Sequence, residues 1–130
     1  MFWKKFLGIK TPVLIDTKKG KRYEFSRRKK KIIIGRADEC DVFTDTPQVS
    51  REHAEITNLS YHHNILYTIT DKNSKHGTAI RRETAKKSID IITVNRADRV
   101  LEDRDIILLA YHFREREGKR RAYELEFRLE

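Results

Sequence analysis

The chain has 130 residues, 38% of them charged against roughly 25% in an average domain, and a formal net charge of +9. That length gives one domain with a real core, and the charge favours an anionic partner: a phosphorylated peptide, nucleic acid or an acidic membrane. The lone cysteine, Cys40, excludes an internal disulfide and fits no zinc-ligand spacing, so a reducing, cytoplasmic setting is expected.

The chain opens on Met1, as a complete small protein would. Phe2, Trp3, Phe6 and Leu7 then fall at helix-like spacing, with Lys4 and Lys5 opposite. Residues 1–11 read as a basic and apolar tail that packs on its own domain; a membrane partner is not expected beyond a weak contact of this tail with a membrane surface. The tail lacks the extended apolar run of a signal peptide, and the longest apolar stretch, Ile106 to Tyr111, is far short of the ~20 residues of a membrane helix.

From there the signals are those of strands. Val13–Asp16 and Arg22–Ser26 flank a Gly20 turn, a hairpin pattern. The block Arg27 to Lys31 reads as a solvated loop before Ile32–Ile34, β-branched throughout and therefore a buried strand. Ala54–Leu59 and Ile65–Asp71 follow, joined around Tyr61 to Asn64, and then Thr78–Arg81, Ile89–Asn95 and Asp105–Tyr111. At the end Tyr123, Leu125, Phe127 and Leu129 alternate with Glu124, Glu126, Arg128 and Glu130, the period of a strand with one buried face. Only Arg81–Ser88 leaves room for a helical turn. Many short strands with frequent turns predict an all-β protein, an antiparallel β-sandwich.

Three polar clusters sit at strand ends: Gly35-Arg36, Ser50-Arg51-Glu52-His53, and Asp71 to Thr78. Loops at one end of a sandwich converge from strands distant in sequence, so these clusters can meet. Taken in order, Gly35-Arg36, Ser50-x-x-His53 and Asp71-x-x-Ser74-x-His76-Gly77-Thr78 resemble the motifs of forkhead-associated (FHA) domains. Asp41-Val42 and Leu101 to Ile106 fit the same pattern, and the likeness runs from about Val13 to Arg128. The resemblance implies a sandwich of about eleven strands over residues 12–130 that binds phosphothreonine peptides, made by a Ser/Thr kinase, through loops at one end. It implies signalling by protein–protein interaction, with no cofactor, no metal and no catalysis.

On this resemblance Arg36, Ser50, Arg51, Lys75 and His76 are the phosphothreonine-binding residues. Arg36 offers a planar donor fork, Ser50 a short hydroxyl, and Arg51 and Lys75 further positive charge or solvated side chains. Gly35, His53, Asp71, Ser74, Gly77 and Thr78 support the site, with the His53 imidazole buried and bonded to backbone. The sequence departs from the family where His76 replaces the usual Asn, which contacts the peptide main chain. It departs again where Arg104 replaces a Gly, where Arg81-Arg82 stand near a missing Asn-Gly, and where Arg81 to Val100 is longer than usual.

Two rival readings remain. A basic nucleic-acid binder accounts for the charge and the Arg27–Lys31 block, but no aromatic-basic stacking pattern or known nucleic-acid motif accompanies them. A phosphate-independent scaffold on the same fold is opposed by the intact Arg36 and Ser50. An enzyme finds no support, because Cys40 precedes Asp41 in a structural segment with no base paired to a nucleophile. His62-His63 read as exposed turn residues rather than metal ligands.

Overall fold

A computed structural model describes residues 10–115, 118 and 121–130; the tail expected over residues 1–11 therefore lies almost wholly outside the described residues. Eleven strands follow one another: β1 (Pro12–Asp16), β2 (Lys21–Glu24), β3 (Lys31–Gly35), β4 (Val42–Phe43), β5 (Ala54–Asn58), β6 (Tyr67–Asp71), β7 (Thr78–Glu83), β8 (Ile89–Val94), β9 (Arg99–Val100), β10 (Ile106–Leu109) and β11 (Tyr123–Leu129). They form a six-stranded sheet, β2-β1-β11-β10-β7-β8, and a five-stranded sheet, β4-β3-β5-β6-β9. The all-β sandwich read from the sequence is the fold observed. No helix among the described residues is long and apolar enough to cross a membrane.

The period of two explains the packing. Along β11, Tyr123, Leu125 and Phe127 are buried while Glu124 is exposed. Their neighbours across the ladder, Leu109, Ile107 and Leu14, lie on the same face. The other sheet answers with Ile32, Ile34, Ile56 and Ile69, all essentially without solvent exposure, and the Tyr67 and Phe127 rings lie 5.7 Å apart. Burying such side chains contributes about 1.5–3 kcal/mol each, the main drive for closing the sandwich.

Two expectations change. The Arg81–Ser88 stretch holds no helical turn; β7 runs on to Glu83 and turns back into β8 through Thr84 and Ser88, whose hydroxyls are 2.7 Å apart. The sandwich is also not wholly antiparallel. β4 runs parallel to β3, pairing Ile34 with Val42 and Gly35 with Phe43. Only two residues pair in this way, and the Asp41 carboxylate extends the edge by accepting the Ile33 N–H at 2.8 Å. That bond is the physical role of the Asp41-Val42 pair.

The family departures near Arg81 and Arg104 also acquire reasons. Arg82 forks onto the buried Asp105, at 2.9 Å from Nε and 2.8 Å from Nη2, and so ties β7 to the turn before β10. Arg81 pairs with Glu124 across β10 at 2.8 Å. Arg104 sits at φ +74°, the left-handed region where a side chain costs roughly 1–2 kcal/mol. Glycine would remove that cost but lose about 0.4–1 kcal/mol through a freer unfolded chain. Arg104→Gly should therefore be neutral or stabilise by up to about 1.5 kcal/mol, and Arg104→Val should destabilise. Urea unfolding of the three proteins checks this ordering.

Candidate functional site

The ladder brings the three polar clusters to one end of the sandwich. Ile34 pairs with Ala54 and Ala54 with Asp71 in one sheet, while Thr78 pairs with Leu109 in the other. The loops beyond these residues therefore emerge together, and a fourth, the turn after β10, joins them.

Gly35 ends β3 beneath the Ser50-Arg51 backbone. A Cβ on Gly35 would lie 2.1 Å from the Arg51 carbonyl oxygen and 2.9 Å from that of Ser50. The approach is close because the two segments bond each other: Arg36 N–H donates to Ser50 O and Ala37 N–H to Arg51 O, both at 3.0 Å. Arg36 leaves this junction half-buried, and its Nε–H donates to the Val49 carbonyl at 3.1 Å. That bond fixes the guanidinium plane and leaves both Nη groups without an ion pair among the described residues.

Ser50 is held from both sides. Its Oγ accepts the Lys75 N–H at 3.0 Å, so the hydroxyl proton remains to be donated elsewhere. Its own N–H donates to Nδ1 of His53 at 3.0 Å. Because Nδ1 accepts, the neutral ring carries its proton on Nε2, which donates to the Gly77 carbonyl at 2.9 Å. The Ala110 amide, 3.3 Å from the same nitrogen, is then a packing neighbour rather than a donor. His53 is wholly buried, and burial pushes its pKa below that of an ordinary histidine, against the opposing pull of the Gly77 carbonyl and Asp71.

The loop from Asp71 to Thr78 is closed by its own hydroxyls. The Asp71 carboxylate accepts the Ser74 N–H at 3.0 Å, the Ser74 Oγ–H at 2.6 Å and the Thr78 Oγ1–H at 2.7 Å. Ser74 Oγ in turn accepts the Gly77 N–H at 2.9 Å. Gly77 adopts φ +80°, and a Cβ there would come 2.6 Å from Cδ2 of the His112 ring. His112 N–H donates to the His76 carbonyl at 2.7 Å, and the Phe113 ring meets the His76 ring edge-on with centroids 5.2 Å apart.

Arg51 and Lys75 are exposed at the rim; Arg51 reaches Glu39 at 3.8 Å, a loose surface pair. All eleven residues singled out from the sequence thus lie on these converging loops or on the strand ends that carry them. His112 and Phe113 were missed. Nothing local marks them, since they matter only because β10 pairs with β7 and delivers them beside Gly77 and His76.

The FHA domain model matches residues 32–110, more than half of the chain, and the chain belongs to the FHA domain family. An FHA domain studied for phosphothreonine-dependent interactions is 23% identical with a TM-score of 0.61, covering 92% of this chain and 97% of its own. EmbR of Mycobacterium tuberculosis, in complex with a low-affinity phosphopeptide, is 24% identical with a TM-score of 0.59; 91% of this chain matches only 24% of that one. The yeast splicing factor Pml1 is 19% identical with a TM-score of 0.69, covering 99% of this chain and 89% of its own. At these identities the structural likeness concerns the fold. No curated protein matches the chain.

Two outcomes follow from the packing. Gly35→Ala should destabilise by about 1–3 kcal/mol or more, because a backbone carbonyl cannot move aside without breaking the bonds that place Ser50. Gly77→Ala meets the end of a rotatable ring instead, and should cost only the left-handed penalty of roughly 1–2 kcal/mol. Chemical denaturation of both variants tests the contrast.

The His53 shift makes stability depend on pH. Unfolded, the imidazole takes a proton near ~6.5; folded, it resists protonation to lower pH. Between those values the unfolded chain holds more protons, so stability rises with pH. The contribution is full above about 6.5 and is lost as the pH falls towards the folded value. Tm should therefore drop on acidification from neutrality to about pH 5, and drop less in His53→Asn, which is weaker at neutral pH but does not titrate. Equal drops in the two proteins would remove His53 from the account.

Proposed function

We propose that this chain binds phosphothreonine in partner proteins, with residues 12–130 as the binding domain and the loops after β3, β4 and β6 as the pocket. The observation that carries this reading is the set of donors left over once the loops have satisfied themselves: the Nη groups of Arg36 and the hydroxyl proton of Ser50. A phosphothreonine carries about −1.5 to −2 charges and three strong acceptor oxygens. A guanidinium already fixed through Nε can present both Nη groups to two of those oxygens without further ordering. Ser50 donates to a third, and Lys75 and Arg51 add positive charge at the rim.

His76 takes the position beside the phosphothreonine main chain. Its ring, held against Phe113, can donate one bond and accept another when neutral, which is the pairing a peptide backbone asks for. The partner is a protein prepared by a Ser/Thr kinase. The EmbR and phosphothreonine-dependent relatives support the class of ligand, and Arg36 and Ser50 support its extension to this chain. The buried histidine is neutralised and structural, so nothing in the arrangement asks for catalysis.

The test is calorimetry with a phosphothreonine peptide selected from a library, alongside the unphosphorylated peptide. Arg36→Ala should lower affinity by at least about 10- to 150-fold, the equivalent of losing one charge-assisted bond of about 1.5–3 kcal/mol, with thermal unfolding unchanged. Ser50→Ala should lower it less. Unchanged affinity in a folded Arg36→Ala protein would reject the pocket.

A further inference from the structure

The opposite end of the five-stranded sheet carries a second concentration of positive charge. β3 runs from Lys31 to the Gly35 end and β5 returns from Ala54 to Asn58, so about four residues of strand, roughly 13 Å, separate this end from the proposed phosphothreonine pocket. Here a cleft of about 380 Å³ opens between the β2–β3 loop and the β5–β6 hairpin. Lys10, Arg27, Arg28, Lys30, His62 and His63 line it, and no carboxylate does so among the described residues. None of the four Lys and Arg side chains forms an ion pair among the described residues. Their neighbours in sequence do: Lys29 binds Asp41 at 3.0 Å, and Lys31 approaches Glu55 at 3.7 Å.

The cleft is built rather than accidental. The Asn58 side-chain amide donates to the Arg27 carbonyl at 2.6 Å, and Asn58 N–H donates to Lys30 O at 2.8 Å, which locks the basic loop to β5. The facing hairpin is pinned by Leu59 N–H to Leu66 O at 2.8 Å and Leu66 N–H to Ser60 Oγ at 2.9 Å, with His62 in the left-handed region at φ +54°. That rigid tip exposes Leu59 at 49%, Tyr61 at 71%, Ile65 at 41% and Leu66 at 36%. The exposed apolar tip is unfavourable in water, and the unpaired cations beside it lack an anion. They suit a surface that is anionic outside and hydrocarbon just beneath.

The chain leading into this end has the same character. Lys10 lines the cleft, and the residues before it in sequence include Phe2, Trp3, Phe6 and Leu7 with Lys4 and Lys5. We infer that this end of the sandwich docks on an anionic membrane surface, the cleft receiving a lipid phosphate headgroup and the Leu59–Leu66 tip entering the interface. Nucleic acid would use the cations but has no use for three exposed aliphatic side chains on a hairpin tip. Docking here leaves the phosphothreonine loops pointing away from the membrane, and the inference does not depend on their function.

The experiment is vesicle co-sedimentation of the full chain, with thermal unfolding of every variant as the control for folding. The protein should sediment with phosphatidylcholine vesicles containing phosphatidylserine and not with phosphatidylcholine alone, and added salt should release it. Arg28→Ala and Lys30→Ala should each lower partitioning roughly fivefold, the factor for one cation near an anionic leaflet. Leu59→Ser with Ile65→Ser should lower it with all charges retained. Inorganic phosphate added at millimolar level separates headgroup capture from any free-phosphate site: release of the protein by phosphate at constant ionic strength supports the cleft as the headgroup site. No sedimentation with anionic vesicles, equal sedimentation with both kinds, or cleft-dependent binding of an oligonucleotide in place of vesicles would overturn the inference.

Discussion

His53, through its ring and its backbone together, ties three segments into one junction. Its backbone N–H donates to Ile34 O at 2.8 Å and its carbonyl accepts Lys72 N–H at 2.9 Å, while the ring spans from Ser50 N–H to the Gly77 carbonyl. One residue thus connects the end of β3, the serine loop and both limbs of the β6–β7 loop. This works only for a neutral ring with one acceptor and one donor nitrogen, and full burial keeps it neutral. Were it charged, Nδ1 would carry a proton and the Ser50 amide would lose its acceptor inside a dry environment, where an unmet polar group costs about 1–3 kcal/mol.

From that constraint follows a division of labour among the polar groups. The inner ones are spent on one another: Asp71 on Ser74 and Thr78, Ser74 on Gly77, Arg36 Nε on Val49. The outer ones, Arg36 Nη and the Ser50 hydroxyl proton, are placed by those bonds but not consumed by them. A recognition site needs both properties, since a donor that must first be ordered or freed from a partner gives up much of what it gains on binding.

The same contrast orders the charge of the whole molecule. Across the outer face of the six-stranded sheet the arginines are paired: Arg22 with Glu130, Arg81 with Glu124, Arg128 with Glu126. Arg36, Arg27, Arg28 and Lys30 form no ion pair among the described residues, and neither do Lys18, Lys21, Lys86, Lys87 and Arg99. A net charge of +9 spread evenly would say only that the partner is anionic. What separates the proposed contacts from this background is local placing: Arg36 beside Ser50, and Arg27, Arg28 and Lys30 around one cleft.

The sequence by itself determined the sandwich and nine of its strands, missing only the two-residue β4 and β9, and marked the residues of the proposed pocket. These rest on local signals: alternation along Tyr123–Leu129, the β-branched run Ile32–Ile34, a Gly beside Arg36, a Ser three residues before His53. Tertiary structure alone decided how those residues work. The parallel β3–β4 pair, the His53 tautomer, the Arg82–Asp105 fork and the placing of His112 and Phe113 beside the recognition loop all depend on partners far away in the chain. So does the basic cleft, which the sequence showed only as a charged loop and a hairpin turn. Periodicity is a property of neighbours along the backbone and can be read from them. Convergence of loops is set by strand pairing across the sheets, and no short stretch of sequence contains it.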